Sequence, residues 1–112
     1  ALVTGDFRRN VERDFARSTR PELFACFEQV ITHDDVAQPK PDPEPYLRAA
    51  AYLGVDAAQM LAVEDSAVGA QAALAAGCPT LLFAADAAPP AATAQAVLRV
   101  IRHHDEVWEF LS

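Results

Sequence analysis

Three short clusters along the chain carry groups that could handle an anion or a cation. Glu64 and Asp65 close the apolar run Met60 to Val63 and stand directly before Ser66. Adjacent carboxylates repel one another unless a cation or water relieves them, and hard oxygen donors of this kind suit a magnesium ion that keeps several of its waters. Asp65 and Ser66 are equally what a helix start needs, since both accept free amide hydrogens. The triplet therefore reads either as a metal site or as a cap. Lys40 stands between Pro39 and Pro41, where a stiff backbone would aim its ammonium; the alternative is an ordinary solvated loop lysine. Thr4, followed by Gly5, ends the first apolar run and could donate its hydroxyl to an anion's oxygen, or could simply express the strand preference of threonine.

Other candidate ligands are scattered. His33 is isolated, and His103 and His104 are sequence neighbours, which rarely point the same way. Neither place has the spacing of a zinc site. Cys26 and Cys78 sit in apolar surroundings without a Cys-x-x-Cys spacing, so both read as buried thiols in a reducing, cytoplasmic setting.

The elements that would position these clusters alternate between strand and helix. Ala1 to Thr4 reads as a strand, and Phe7, Val11 and Phe15 recur at helical spacing among arginines. Phe27 to Thr32 is a second strand, followed by a proline-rich loop from His33 to Pro45. Asp42 and Pro43 open a helix, by capping and by a preset φ respectively, and Gly54 closes it. Met60 to Val63 is a third strand, then Ser66 caps an alanine-rich helix that stops at Gly77. Pro79 to Ala84 is a fourth strand. A small-residue loop over Ala85 to Thr93, an edge strand over Val97 to Ile101 and a terminal helix from Asp105 to Leu111, packed by Val107, Trp108 and Leu111, complete the reading. Such alternation implies an α/β fold with a parallel sheet covered on both faces, and ligands in such sheets bind at the carboxyl ends of the strands. Thr4, Gly5, Lys40, Glu64 and Asp65 all fall at such ends or in the loops beyond them.

At 112 residues the chain holds one domain, and 52% hydrophobic residues supply a core. A net charge of −7 repels phosphate backbones and anionic lipid, which argues against nucleic-acid and membrane partners. No apolar run approaches the roughly 18 residues of a membrane span. No secretory leader is visible and the first residue is Ala1, which suggests a piece of a longer chain or a processed product.

Taken together, and in this order, ALVTG, KPDPEPYLRAAAYLGV and MLAVEDSAVGAQAALAAG resemble the haloacid dehalogenase superfamily of phosphatases and phosphomutases. Thr4 matches the hydroxyl of that family's second motif, Lys40 the lysine of its third, and Glu64 with Asp65 the acidic pair of its fourth. The family's first motif, an Asp-x-Asp carrying the nucleophile, does not occur in the chain, nor does a cap domain between the first and second motifs. Gly5 replaces a more usual Asn or Ser, and Pro39 a frequent Gly.

The resemblance implies that residues 1–112 are the carboxyl-terminal part of a Rossmann-like core with helices on both faces and its central nucleophile strand missing. It further implies Mg2+-dependent hydrolysis of a small phosphorylated metabolite, such as phosphoglycolate or a sugar phosphate, through an aspartyl-phosphate. Thr4 and Gly5 would bind the phosphoryl group, Lys40 would offset its charge, Asp65 and Glu64 would hold the metal, and Ser66 and Gly69 would shape the helix start beneath it. The Glu-Asp-Ser triplet favours phosphoryl transfer over carbon–halogen cleavage. A receiver domain has the same sheet type, but its acids come first along the chain rather than last. The chain alone is expected to be inactive, and to need an amino-terminal segment or a partner chain to complete its sheet. The other reading is a non-catalytic regulatory remnant that binds a partner chain.

Overall fold

The computed structural model describes residues 1–85 and 88–111. Among these residues five strands and five α-helices alternate: β1 (Leu2–Val3), α1 (Arg8–Arg17), β2 (Val30–Ile31), α2 (Glu44–Leu53), β3 (Ala62–Glu64), α3 (Ala67–Ala76), β4 (Thr80–Phe83), α4 (Ala91–Ala96), β5 (Arg99–Ile101) and α5 (Asp105–Leu111). Every pairing is parallel, but the strands form two sheets. β1 pairs with β2, with Leu2 opposite Val30 and Val3 opposite Ile31. The second sheet has the order β3-β4-β5, with Ala62 opposite Thr80 and Leu81 opposite Arg99.

Local chemistry sets most element ends. Gly54 and Gly77 close α2 and α3 in the left-handed region, at φ of 70° and 91°, where a side chain would be strained. The Ser66 hydroxyl accepts the Gly69 N–H at 3.0 Å and starts α3. At α2 the capping is shifted from the expected Asp42–Pro43 pair: Pro43 is the cap residue, and Asp42 accepts the Glu44 N–H at 2.9 Å. The loop expected to run through Pro45 thus ends sooner, with Pro45 buried in the first turn.

Helices α2 and α3 join the two sheets. α2 lies against β1 and β2, α3 lies against β3 and β4, and the two helices pack on each other. Ala70, Ala72 and Ala73 are fully buried along α3, so small side chains let it approach the strands closely. Tyr46 of α2 packs with Ala62, Ala72, Ala73 and Cys78, and Val3 of β1 reaches the same cluster. A second cluster, Ala70, Leu82 and Val97, sits under the β4–β5 side.

Three expectations are corrected. Residues 91–93 of the expected loop open helix α4, which runs on to Ala96, while residues 86 and 87 of that loop, and Ser112 of the expected domain, lie outside the described residues. Cys26 is exposed and only Cys78 is buried; Cys26 ends the 3-10 helix Pro21–Cys26, none of whose residues is buried. Trp108 and Leu111 are 72% and 59% exposed rather than buried in the core; in the same helix the Phe110 ring meets the Arg99 guanidinium of the edge strand. Among the described residues no helix is long and apolar enough to cross a membrane.

Candidate active site

A gap separates β1 from β3, and backbone alternation dictates what faces it. Leu2 and Thr4 donate their N–H groups to Gln29 and Ile31, both at 2.9 Å, so the N–H and C=O of Val3 point away from β2. Ala62 donates to Pro79 at 2.9 Å, so the polar groups of Val63 point away from β4. Two parallel strand edges therefore confront each other without a ladder. Val63, in the middle of its strand, is 46% exposed.

At the carboxyl ends of these strands lies a cavity of about 790 Å³ lined by Thr4, Gly5, Lys40, Glu64, Asp65 and Ser66, with Phe83 and His104 on its far rim. The three clusters singled out from the sequence thus share one space. Lys40 Nζ spans the gap, donating to the Val3 carbonyl at 3.0 Å and to Glu64 Oε1 at 2.5 Å. The two side chains are only 12% and 7% exposed. Neither charge is buried alone, which matters because an unpaired buried charge costs several kcal/mol (on the order of 3–5).

Two residues hold Glu64 in place that the motif reading did not assign to it. The Tyr46 hydroxyl donates to Glu64 Oε1, the same oxygen that takes Lys40. Burial, reinforced by the Glu64 carboxylate, pushes the Tyr46 phenol far above its ordinary range, so it remains a donor. On the other side, a Cβ placed on Gly69 would lie 2.0 Å from Glu64 Oε2. Only a glycine leaves room for the carboxylate. The available sequence signal was spacing: Tyr46 lies one turn into the helix that follows Lys40, and Gly69 lies one turn into the helix that follows Glu64.

The loops are braced on both flanks. Behind Lys40, Glu44 accepts the Ala37 and Gln38 N–H groups at 3.1 and 2.6 Å, and these bonds hold its carboxyl below the usual range. The Lys40–Pro41 peptide is cis. Beyond β1, His33 donates its backbone N–H to the Asp6 carbonyl at 2.9 Å, and Arg8 reaches the Val30 carbonyl at 2.8 Å and Asp35 at 3.0 Å. Asp65 is exposed to the cavity. Thr4 Oγ1 accepts the Asp6 N–H at 3.2 Å, which leaves its own hydroxyl hydrogen to be donated. On the far rim, the His104 and Phe83 rings stack at 4.3 Å between centroids.

Residues 1–77 match the family model of haloacid dehalogenase-like hydrolases. The protein CbbY of Rhodobacter capsulatus is 40% identical over 82 residues, 73% of this chain and 36% of that protein. A plasmid-borne phosphoglycolate phosphatase of Cupriavidus necator is 45% identical over 80 residues, 68% of this chain and 35% of that protein. Among solved structures, a HAD family hydrolase from Deinococcus radiodurans with bound phosphate and sodium superposes with a TM-score of 0.80 at 26% identity, covering 98% of this chain and 50% of that one. The chain thus spans about a third of the length of these curated relatives and half of that solved structure.

Proposed function

Since the chain belongs to the haloacid dehalogenase-like hydrolases, we propose that residues 1–112 are the carboxyl-terminal part of a phosphatase core that hydrolyses a small phosphorylated metabolite, phosphoglycolate or a sugar phosphate, with Mg2+. The observation that carries this reading is the convergence of Thr4, Lys40 and Asp65 on one cavity at the ends of parallel strands. The name of the Cupriavidus relative puts phosphoglycolate first among substrates. The free thiols Cys26 and Cys78 suit a cytoplasmic setting.

The chemistry divides between this chain and a segment outside it. No Asp-x-Asp occurs in these 112 residues, so the nucleophilic aspartate comes from an amino-terminal segment or a partner chain, entering as a strand between β1 and β3. That aspartate attacks phosphorus, the alcohol leaves, and water cleaves the acyl phosphate. Of the three Lys40 N–H donors, two are spent on Val3 and Glu64. The third is left for a phosphoryl oxygen, beside the Thr4 hydroxyl and the exposed Gly5 backbone. Held in place before reaction, these donors stabilise the charge that develops without reorganising.

Asp65 fits a magnesium ion, being a hard oxygen donor exposed to the same cavity. Glu64 has one oxygen taken by Lys40 and Tyr46, so it would reach the ion through Oε2 or through water. Among the described residues no third acidic, histidine or cysteine side chain joins them; water, substrate and the incoming segment would supply the remaining positions. When bound, the ion offsets negative charge on the phosphoryl group.

The test joins the chain to an amino-terminal segment carrying Asp-x-Asp and measures turnover of p-nitrophenyl phosphate and phosphoglycolate with magnesium. Turnover should appear in the joined protein and not in the 112-residue chain. Asp65→Asn and Lys40→Ala should each lower kcat/KM by at least about a hundredfold, the scale seen when one preorganised charge-stabilising group is lost. Turnover by the chain alone, or a joined protein indifferent to both changes, would overturn the proposal. A joined protein with no turnover that binds a partner chain would favour the regulatory reading.

A further inference from the structure

We infer that Tyr46 is a positioning residue, acting through Glu64 to fix the Lys40 ammonium at the mouth of the gap; its catalytic consequence rests on the phosphatase reading, its structural content does not. Glu64 Oε1 is shared by two donors of different origin: Lys40 from the proline-rich loop and the Tyr46 hydroxyl from α2. A carboxylate held by Lys40 alone could swing with the flexible lysine stem. Tyr46 removes that freedom, because its ring is buried in the cluster formed with Ala62, Ala72, Ala73 and Cys78 and its own rotation is locked by packing. The floor is closed as well, since Gly69 passes so near that a Cβ would meet Oε2 at 2.0 Å. With the carboxylate pinned from two sides, Lys40 has one anchored partner and the Val3 carbonyl as the other. The Tyr46 ring also lies 5.4 Å from Nζ, within cation–π range. This arrangement explains a buried tyrosine hydroxyl in an otherwise apolar cluster, where a phenylalanine would pack without needing a partner.

Tyr46→Phe deletes the hydroxyl and keeps the ring. In the joined protein kcat should fall about tenfold with KM for substrate little changed, the signature of a group that acts in the transition state through another. The thermal midpoint should stay near that of the unmutated protein. The readout that a purely structural role would not move is the Lys40 ammonium itself: its proton–nitrogen NMR signal should be protected from exchange in the unmutated protein and lost in Tyr46→Phe, with the backbone spectrum retained. Independently of any variant, the unmutated protein should show a slowly exchanging Tyr46 hydroxyl proton. Absence of that proton, or a Lys40 signal and kcat indifferent to Tyr46→Phe, overturns the inference. If the unmutated protein has no turnover but the Lys40 signal responds as described, the phosphatase reading fails and the positioning role stands.

Discussion

At the scale of single residues, the site depends on atoms that are absent as much as on those present. Alanine is normally about 0.5–1 kcal/mol better than glycine inside a helix, so Gly69→Ala in α3 would ordinarily stabilise. Here its Cβ would meet the Glu64 carboxylate at 2.0 Å, and forcing a group into a filled space costs roughly 1–3 kcal/mol. The second effect is larger. Gly69→Ala should lower the urea midpoint rather than raise it, and the same change at Gly5, where nothing lies within 4 Å, should not. The motif reading found Lys40, Glu64 and Asp65 because an order of residue types along the chain is enough to name them. It could not assign Tyr46 to Glu64, because that partnership exists only once α2 and β3 lie side by side.

At the scale of elements, the connectors after β1 and β2 are tied to each other before either reaches the site. Thr32 is fully buried, and both its N–H and its hydroxyl donate to Asp35 Oδ2, at 2.8 and 2.9 Å. The Thr32 N–H, more than the partly solvated Arg8 pair, holds the Asp35 carboxyl below its ordinary value of 3.8. The sign follows from linkage. A carboxyl depressed in the folded state contributes stability that is complete above 3.8 and is lost as pH falls through the lower folded value. Urea unfolding followed over about pH 6 to 3 should therefore show the unmutated protein losing stability at the acid end. In Asp35→Asn the curve should start lower and lose less, so that the two approach each other as pH falls. A gap between the curves that stays constant to the acid end would contradict this assignment.

At the scale of the whole molecule, two sheets stand where a single one would be continuous, and the packing of α2 on α3 joins them. A strand of about five residues filling the gap would add ladder bonds at roughly 1 kcal/mol each net. It would also cover apolar side chains such as Val63. That is a sizeable share of a domain's usual stability, about 5–15 kcal/mol. Hydrogen exchange can read the gap residue by residue. In the monomeric 112-residue chain the amides of Leu2, Thr4 and Ala62, which donate within their sheets, should exchange slowly relative to those of Val3 and Val63. In the joined protein Val3 and Val63 should become protected as well. Equal protection of all five amides in a demonstrated monomer would show that the gap is already closed, and that the chain is a self-sufficient domain.

What the sequence by itself determined is what short-range physics controls. Gly54 and Gly77 end helices because only they sit comfortably at positive φ, and Ser66 starts one because its hydroxyl reaches an amide three residues on. The order of apolar runs set the alternation of strand and helix and placed Thr4 and Asp65 at strand ends and Lys40 in the loop beyond one. Tertiary structure decided the rest. Strands expected at four to six residues contract to two, three or four, since a ladder extends only as far as a neighbour accompanies it. The end of the stretch read as loop, from Ala91 to Thr93, opens α4, whose alanines favour a helix and which packs against α3. Above all, the charge of Glu64 is settled by Lys40, 24 residues earlier, and by Tyr46, 18 residues earlier. Pairing of buried charge is non-local by nature, because its energy depends on which groups share the same water-excluded space and not on how far apart they lie along the chain.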